Sequence, residues 1–305
     1  MATTAFFALI KRNLKIYFRD YMTIFYSLLS MFITLGLMVF FLGDMSVDSI
    51  ASVLSNFPGR DAAADAENAK LFVLTWTGAG IISINAVTVT LACFSGMIED
   101  RKRGRLNAIY TAPVKRGIIS VSYIAYAWIA SVIICIITLA VFEAVGMTKG
   151  MSILSFSAHM KLLGIILVNS WTFSAFMYML ALLVKTSGAW GAIGTIVGTL
   201  VGFFGGIYIP IGSLQGGIQT VIKCFPVIYS SSAIREVMLE EISAETFKGI
   251  PGEVSQIVAD NMGVNLELFD NPLTVGTKLA IVAAFGVLFV IVSVVVLKHN
   301  KMNDR

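Results

Sequence analysis

Residue types able to carry covalent or metal chemistry are scarce in this chain of 305 residues, which has two histidines and three cysteines. An enzyme working inside a membrane needs reactive side chains at matching depth, such as an HExxH helix, a GxSxG turn or a pair of intramembrane aspartates. None of these patterns occurs, and His159 and His299 fall outside the long apolar runs, on opposite sides of them. There is no GxxxxGK[ST] phosphate loop either, so the sequence predicts no nucleotide hydrolysis by this chain, no catalytic residue, no metal and no cofactor of its own. Cys93 and Cys135 lie inside apolar runs, where a thiol behaves as a small hydrophobe. Cys224 stands apart, and no disulfide is expected.

The chemistry that remains is charge, polarity and close packing. Residues 98–117 read as a basic cluster, then an apolar patch at Leu106, Ile109 and Tyr110, a stop at Pro113, and a second basic pair at Lys115 and Arg116. A segment that only fixes orientation needs the charges but not a patch with a proline stop. Residues 71–97 carry hydroxyls and amides at Thr75, Thr77, Ser83, Asn85, Thr88, Thr90 and Ser95. Asn85 and Asn169 are the costliest of the polar groups to leave unpaired in lipid. They read as interhelical glue or, with Thr77 and Thr88, as part of a solute path. Gly194, Gly198, Gly202 and Gly206 follow one another at four-residue spacing, which on a helix makes a bare stripe where a second backbone packs closely.

The elements that must position these groups follow from composition. The chain is 57% apolar and 13% charged, whereas a soluble domain has about 45–50% apolar residues with glycine included and about 25% charged. A water-soluble globule is excluded. Six runs are long enough to cross about 30 Å of hydrocarbon as helices: residues 21–42, 71–97, 118–145, 162–184, 189–211 and 275–297. They do not alternate in polarity, so a β-barrel is excluded too. The one carboxylate in them is Glu143, near the end of the third, and it is expected at the interface. The expected fold is an all-α polytopic membrane protein, residues 1–305 forming a single transmembrane domain.

Lys and Arg decide the orientation. Fourteen of the 22 lie on one side with four acids, a balance of +10, and the other side carries eight basic and 14 acidic residues, a balance of −6. The positive-inside rule puts both termini and residues 98–117 in the cytoplasm. Residues 1–20 read as an amphipathic lead lying in the membrane interface, with Lys11, Arg12, Lys15 and Arg19 on one face and Phe6, Phe7, Ile10, Leu14, Tyr17 and Phe18 on the other. The apolar stretch behind that lead is too long for a cleaved signal peptide. On the outer side, 43–70 is a polar, acidic loop with room for a short helix. Residues 212–274 begin with an apolar run broken by Lys223 and Pro226, which suggests a re-entrant helical pair, and continue as an acidic, solvent-facing stretch.

In order and content these motifs resemble those of ABC-2 type exporter permeases. The second and third spans of that family are joined by charged residues, Gly-Thr, a leucine-rich turn, a proline and an arginine. Here the matching positions are Glu99, Asp100, Arg101, Lys102 and Arg103, then Gly104, Leu106 to Tyr110, Pro113 and Arg116, with Arg105 where the family has threonine. A second match follows the fifth span, where Gly206 to Pro210, then Phe225, Pro226 and Tyr229, then Ala233 to Arg235 are similar to the family's outer re-entrant signature. The resemblance implies half of a transporter, paired with a second copy or a related permease in a bacterial cytoplasmic membrane. Each half would dock an ABC ATPase subunit, the holder of ATP and Mg, on residues 98–117 and the amphipathic lead. Cargo would move outward along an interface formed chiefly by the second and fifth spans. Relatives carry drugs, peptides or lipid-linked glycans, and the apolar span surfaces lean toward an amphipathic solute. No nucleic acid is expected as a partner, and lipid is. The competing class is a non-transporting scaffold or sensor subunit, although a sensor should show a soluble signalling domain. A channel should show a polar ring at mid-depth.

Overall fold

A computed structural model describes residues 2–37, 43–106, 114–268 and 271–303. It is built of helices: α1 (Ala2–Arg19), α2 (Tyr21–Leu37), α3 (Gly43–Ser55), α4 (Ala62–Lys102), α5 (Arg116–Met147), α6 (Phe156–Leu183), α7 (Ser187–Phe204), α8 (Gly216–Lys223), α9 (Pro226–Met238), α10 (Glu240–Thr246), α11 (Gly252–Asn261) and α12 (Val275–Asn303). A two-residue antiparallel ladder, Glu267–Leu268 with Asn271–Pro272, is the strand content of the described residues. Five helices, α4, α5, α6, α7 and α12, are long and apolar enough to cross a membrane. Helix α2 is equally apolar over 17 residues, and the rest of the first expected span, 38–42, lies outside the described residues.

Helix α4 is the axis, packing against α2, α3, α5, α6, α7, α9 and α10. Its 41 residues span about 60 Å, roughly twice the thickness of a hydrocarbon core. It therefore differs from the expected 71–97 at both ends. At one end Asp61 caps it, accepting from the Ala63 amide at 2.9 Å, and good helix formers carry it through 62–70. At the other, Glu99 to Lys102 are its last turn rather than part of a loop. Helix α6 also starts early, at Phe156, because the Ser155 hydroxyl caps it by accepting from the Ala158 amide at 3.3 Å.

The fifth expected span, 189–211, is corrected at its end. Helix α7 stops at Phe204, where the Ile207 amide donates to the Gly202 carbonyl at 3.0 Å and the Gly206 amide to the Phe203 carbonyl at 3.0 Å. That pair of bonds is a Schellman motif, and Gly206 at φ +63° takes its left-handed position. The four spaced glycines are therefore not one packing stripe. Gly206 terminates the helix, and a Cβ at Gly202 would strike the Tyr208 ring at 2.2 Å. A Cβ at Gly194 would meet only Leu91, at 3.6 Å, and one at Gly198 would meet nothing within 4 Å.

The amphipathic lead is also placed differently. Helix α1 packs on α5 and α2, burying Ile10, Asn13 and Tyr17 while Lys11, Lys15 and Arg19 face outward. Phe7, expected on the apolar face, is 61% exposed. Arg12 leaves the outward basic row and turns into the bundle, onto Asp100. Asp20 then caps α2, accepting from the Thr23 amide at 3.0 Å and its hydroxyl at 2.7 Å, which holds its carboxyl below the usual range.

The glycine positions yield a direct comparison. Gly206→Ala forces a β-carbon into a left-handed turn, a cost of about 1–2 kcal/mol, and should lower the thermal midpoint in detergent. Gly198→Ala fills open space in a helix and should raise it slightly, since alanine is favoured there by about 0.5–1 kcal/mol. Equal shifts in the two variants would contradict the assignment of Gly206 to a Schellman turn.

Candidate functional site

At the basic end, the last turn of α4 is a junction of four segments. Asp100, 6% exposed, accepts from Arg12 of α1 at 2.8 Å and lies 3.5 Å from Arg105 beyond the helix. One turn is enough to send the neighbouring side chains elsewhere, because successive residues on a helix point about 100° apart. Arg101 donates to the Ala181 carbonyl at 3.1 Å and to the Val184 carbonyl, closing the C-terminal end of α6. Cationic groups are favoured at such an end, where the last carbonyls lack partners within the helix. Glu99 pairs with Arg103 at 2.7 Å on the exposed side, and Arg103 caps α4, its amide donating to Glu99 and Arg101 carbonyls. Gly104 at φ +70° turns the chain, and Leu106, 2% exposed, anchors it in the main core. Lys102 is the final residue of α4, and Arg116 opens α5. Ile109, Tyr110 and Pro113 lie outside the described residues.

Inside the bundle, the polar residues of α4 reach three neighbours. Asn85 donates from Nδ2 to Thr138 Oγ1 of α5 at 2.8 Å, and Asn169 of α6 donates to the Ser83 carbonyl at 3.3 Å. Ser83 and Ser230 of α9 share a hydrogen bond of 2.7 Å. Thr77 turns inward on its own helix, donating to the Val73 carbonyl at 2.8 Å, while Thr88, half-buried, lies 3.4 Å from the Asn85 carbonyl. Of the three residues considered for a pathway, Thr77 and Asn85 thus sit in the packed interior of the single chain, and Asn85 braces two helices.

The acidic end is organised by a residue the sequence singled out and several it did not. Arg235 on α9 is 0% exposed. It donates from Nη2 to the Gly206 carbonyl at 2.9 Å and lies 4.4 Å over the Trp76 ring of α4. Trp76 in turn donates to the Met262 carbonyl at 2.7 Å. That carbonyl precedes Gly263, which at φ +66° ends α11 in a second Schellman turn. Space for the guanidinium comes from missing side chains: a Cβ at Gly80, Gly206 or Gly263 would stand 3.3, 3.4 or 3.5 Å from its nitrogens. Pro226 starts α9 at a position where its missing N–H costs nothing. The Tyr229 hydroxyl donates to the Lys223 carbonyl at 2.7 Å, and Pro210 precedes the 3₁₀ turn Ile211–Ser213.

Three further pairs had no spacing signal in the sequence: two join different helices, and Arg60 with Asp65, five residues apart, is tied to carbonyls 186 and 188 residues away. Lys278 belongs to the first turn of α12 and so to the sixth apolar run, although its charge was counted with the outer side. It is fully buried and donates to Glu236 of α9 and to the Val264 carbonyl at 2.9 Å. Glu143 accepts from the His159 ring at 3.0 Å and from the Leu154 amide at 3.2 Å. Arg60 grips Asp65 with two nitrogens and also donates to the Thr246 and Lys248 carbonyls.

A bundle of long apolar helices with a charged junction at one end and a short-helix cap at the other is that of a multi-pass membrane protein. A family model for ABC-2 type transporters matches residues 4–239, and the chain belongs to that family. The match runs from α1 to the residue that caps α9, so it takes in both the Asp100 junction and Arg235. No curated protein matches the chain. The protein is a permease of an ABC transporter.

The two ion pairs at the end of α4 should differ in strength. Asp100 is nearly excluded from water, whereas Glu99 and Arg103 are 40% and 56% exposed. A double-mutant cycle of Arg12→Gln with Asp100→Asn should show coupling of about 1–3 kcal/mol, within the range for contacting residues. The cycle of Glu99→Gln with Arg103→Gln should show about 0.5 kcal/mol or less. Unfolding in mixed micelles measures both, and equal values would mean that Asp100 is not the tie between α1 and α4.

Proposed function

We propose that this permease is the membrane half of an ATP-driven exporter in a bacterial plasma membrane, with both termini and residues 98–117 in the cytoplasm. The observation that carries the reading is the junction at Asp100. A force applied to residues 103–106 reaches α1 through the Arg105–Asp100–Arg12 contacts and α6 through Arg101, without crossing any flexible segment among the described residues. A partner ATPase seated there, holding ATP and Mg, would have a stiff lever on the bundle axis. Nothing in the chain's own sequence supplies a phosphate loop, so hydrolysis is assigned to that subunit.

Pairing with a second copy or a related permease is supported by the outward face of α7, where Ile196, Leu200 and Phe203 are exposed. The buried hydrogen-bonded network around Asn85 and Ser83 fills the middle of the bundle among the described residues, which favours passage between two chains. Cargo is assigned as an amphipathic solute, a drug, peptide or lipid-linked glycan, because the span surfaces that would line such an interface are apolar.

Orientation is tested with single cysteines in a variant lacking Cys93, Cys135 and Cys224. Glu253→Cys should react with an impermeant thiol reagent on whole cells and Arg103→Cys should not; labelling of Arg103→Cys in intact cells would invert the topology. Docking is tested by Ile109→Ser with Tyr110→Ser, which keeps every basic residue. Burial of one large apolar side chain is worth roughly 1.5–3 kcal/mol, so ATPase association should fall tenfold or more with insertion unchanged. Lys102→Gln with Arg103→Gln should be milder. Full association and transport in the serine pair would sink the docking role of this segment.

A further inference from the structure

Where α6, α7, α9 and α12 meet, they leave a groove of about 360 Å³ that is open to the surface. Val87 of α4 and Phe173 of α6 form its buried floor, Val201 and Phe204 of α7 one wall, and Phe289 of α12 the other. The ring of Phe225 stacks on Phe204, with centroids 4.2 Å apart, at the end nearest α8. No lining side chain carries nitrogen or oxygen, and the single heteroatom is the sulfur of Cys224.

Those walls decide what can enter. A buried water needs two to four polar partners, and this groove offers its contents none. The volume is more than twice that of the ~150 Å³ apolar cavity that accepts a benzene ring, so hydrocarbon of considerable size fits. A flexible chain of methylenes is one such occupant. The flanking helices α7 and α12 are the spans with the smallest buried share, so the groove is reached from the hydrocarbon of the bilayer itself. Its α8 end also has the right polarity for a headgroup. Lys223 is the last residue of α8, directly before Cys224 and Phe225. It takes part in no ion pair among the described residues.

We propose that this groove is a lipid site, holding one acyl chain of an anionic membrane phospholipid whose phosphodiester sits at Lys223. Ile196 and Leu200, on the pairing face of α7, also line this groove, so the inference rests on the transport reading in one respect, that two paired permeases leave the groove open to lipid. The assignment of that lipid to the outer leaflet rests on the proposed orientation. An acyl chain there would complete the packing between α7, which leans chiefly on α4, and α12, which leans chiefly on α6 and α9.

The test uses the full chain in nanodiscs of phosphatidylethanolamine and phosphatidylglycerol, doped with phosphatidylglycerol bearing a mid-chain diazirine. After photolysis, peptide mass mapping should place adducts on the segments holding Phe173, Val201, Phe204 and Phe289, saturating at one lipid per chain. Val201→Trp should fill the groove and cut those adducts at least fivefold, and Val201→Ala should keep them. Lys223→Glu should raise the phosphatidylglycerol concentration for half-labelling severalfold while leaving a phosphatidylcholine diazirine unaffected. Should the tryptophan variant fail to fold, Cys224 gives a second route in the folded native chain, because Cys93 and Cys135 are buried. Dodecyl methanethiosulfonate on Cys224 should abolish the adducts, and methyl methanethiosulfonate should not. Adducts unchanged by the dodecyl tether would overturn the proposal. So would adducts spread evenly over the exposed face of α5, or cross-links from Cys224 into a second copy in place of lipid.

Discussion

A guanidinium with no exposure to solvent sets the terms for the whole acidic end of this permease. Arg235 has no carboxylate partner among the described residues, and removing such a charge from water is costly unless dipoles replace the lost hydration. The fold supplies the Gly206 carbonyl and the face of Trp76, makes room with three glycines, and leaves Nε and Nη1 buried without a hydrogen-bond partner. These groups belong to three segments besides α9. Seating one side chain therefore fixes the turn after α7, the middle of α4 and the end of α11 relative to α9. Ser232 and Lys278 add to the same knot, both donating to the Val264 carbonyl. A short broken apolar run that could have floated in the interface is thus locked into the bundle, with Ile228, Ala233, Ile234 and Met238 of α9 fully buried.

Helix α4 carries this constraint the length of the molecule. Its Trp76, Gly80 and Ser83 face α9, its Asn85 faces α5, and its Asp100 holds α1. In lipid the hydrophobic effect gives little preference between one apolar neighbour and another, so directional bonds and close contact decide which helices meet. That is why the polar residues of α4 are distributed around it instead of forming a single stripe: they are addressed to neighbours on several sides, α1, α5, α7 and α9 among them. A helix unbroken over 41 residues and held at both ends is suited to passing a displacement from the Asp100 junction to the Arg235 clamp.

Exposure is correspondingly uneven. The apolar windows of α4 and α6 are 72% and 67% buried within the chain, whereas those of α7 and α12 are 17% buried. Surface of that kind is left for lipid or for another subunit. Between the two outward helices lies an apolar groove with no nitrogen or oxygen in its side chains.

Much of this was legible in the residues alone. Apolar length and the scarcity of charge dictate membrane helices, because an unpaired backbone amide in hydrocarbon is too costly for any open structure. The order of motifs from Glu99 to Arg116 and from Gly206 to Arg235 pointed to the ABC-2 family. What the sequence could not carry was distance. Nothing in a one-dimensional pattern marks Arg12 for Asp100, His159 for Glu143 or Lys278 for Glu236, since such pairs depend on which faces two helices turn to one another. The glycine run shows the same limit. Spacing by four is a property of the helix, and at Gly206 there is no helix left: the Schellman turn and the demand of Arg235 for a bare backbone decide that residue's role. Local chemistry chose the elements and where most of them stop, and the need to satisfy buried polar groups in a medium without water chose their partners.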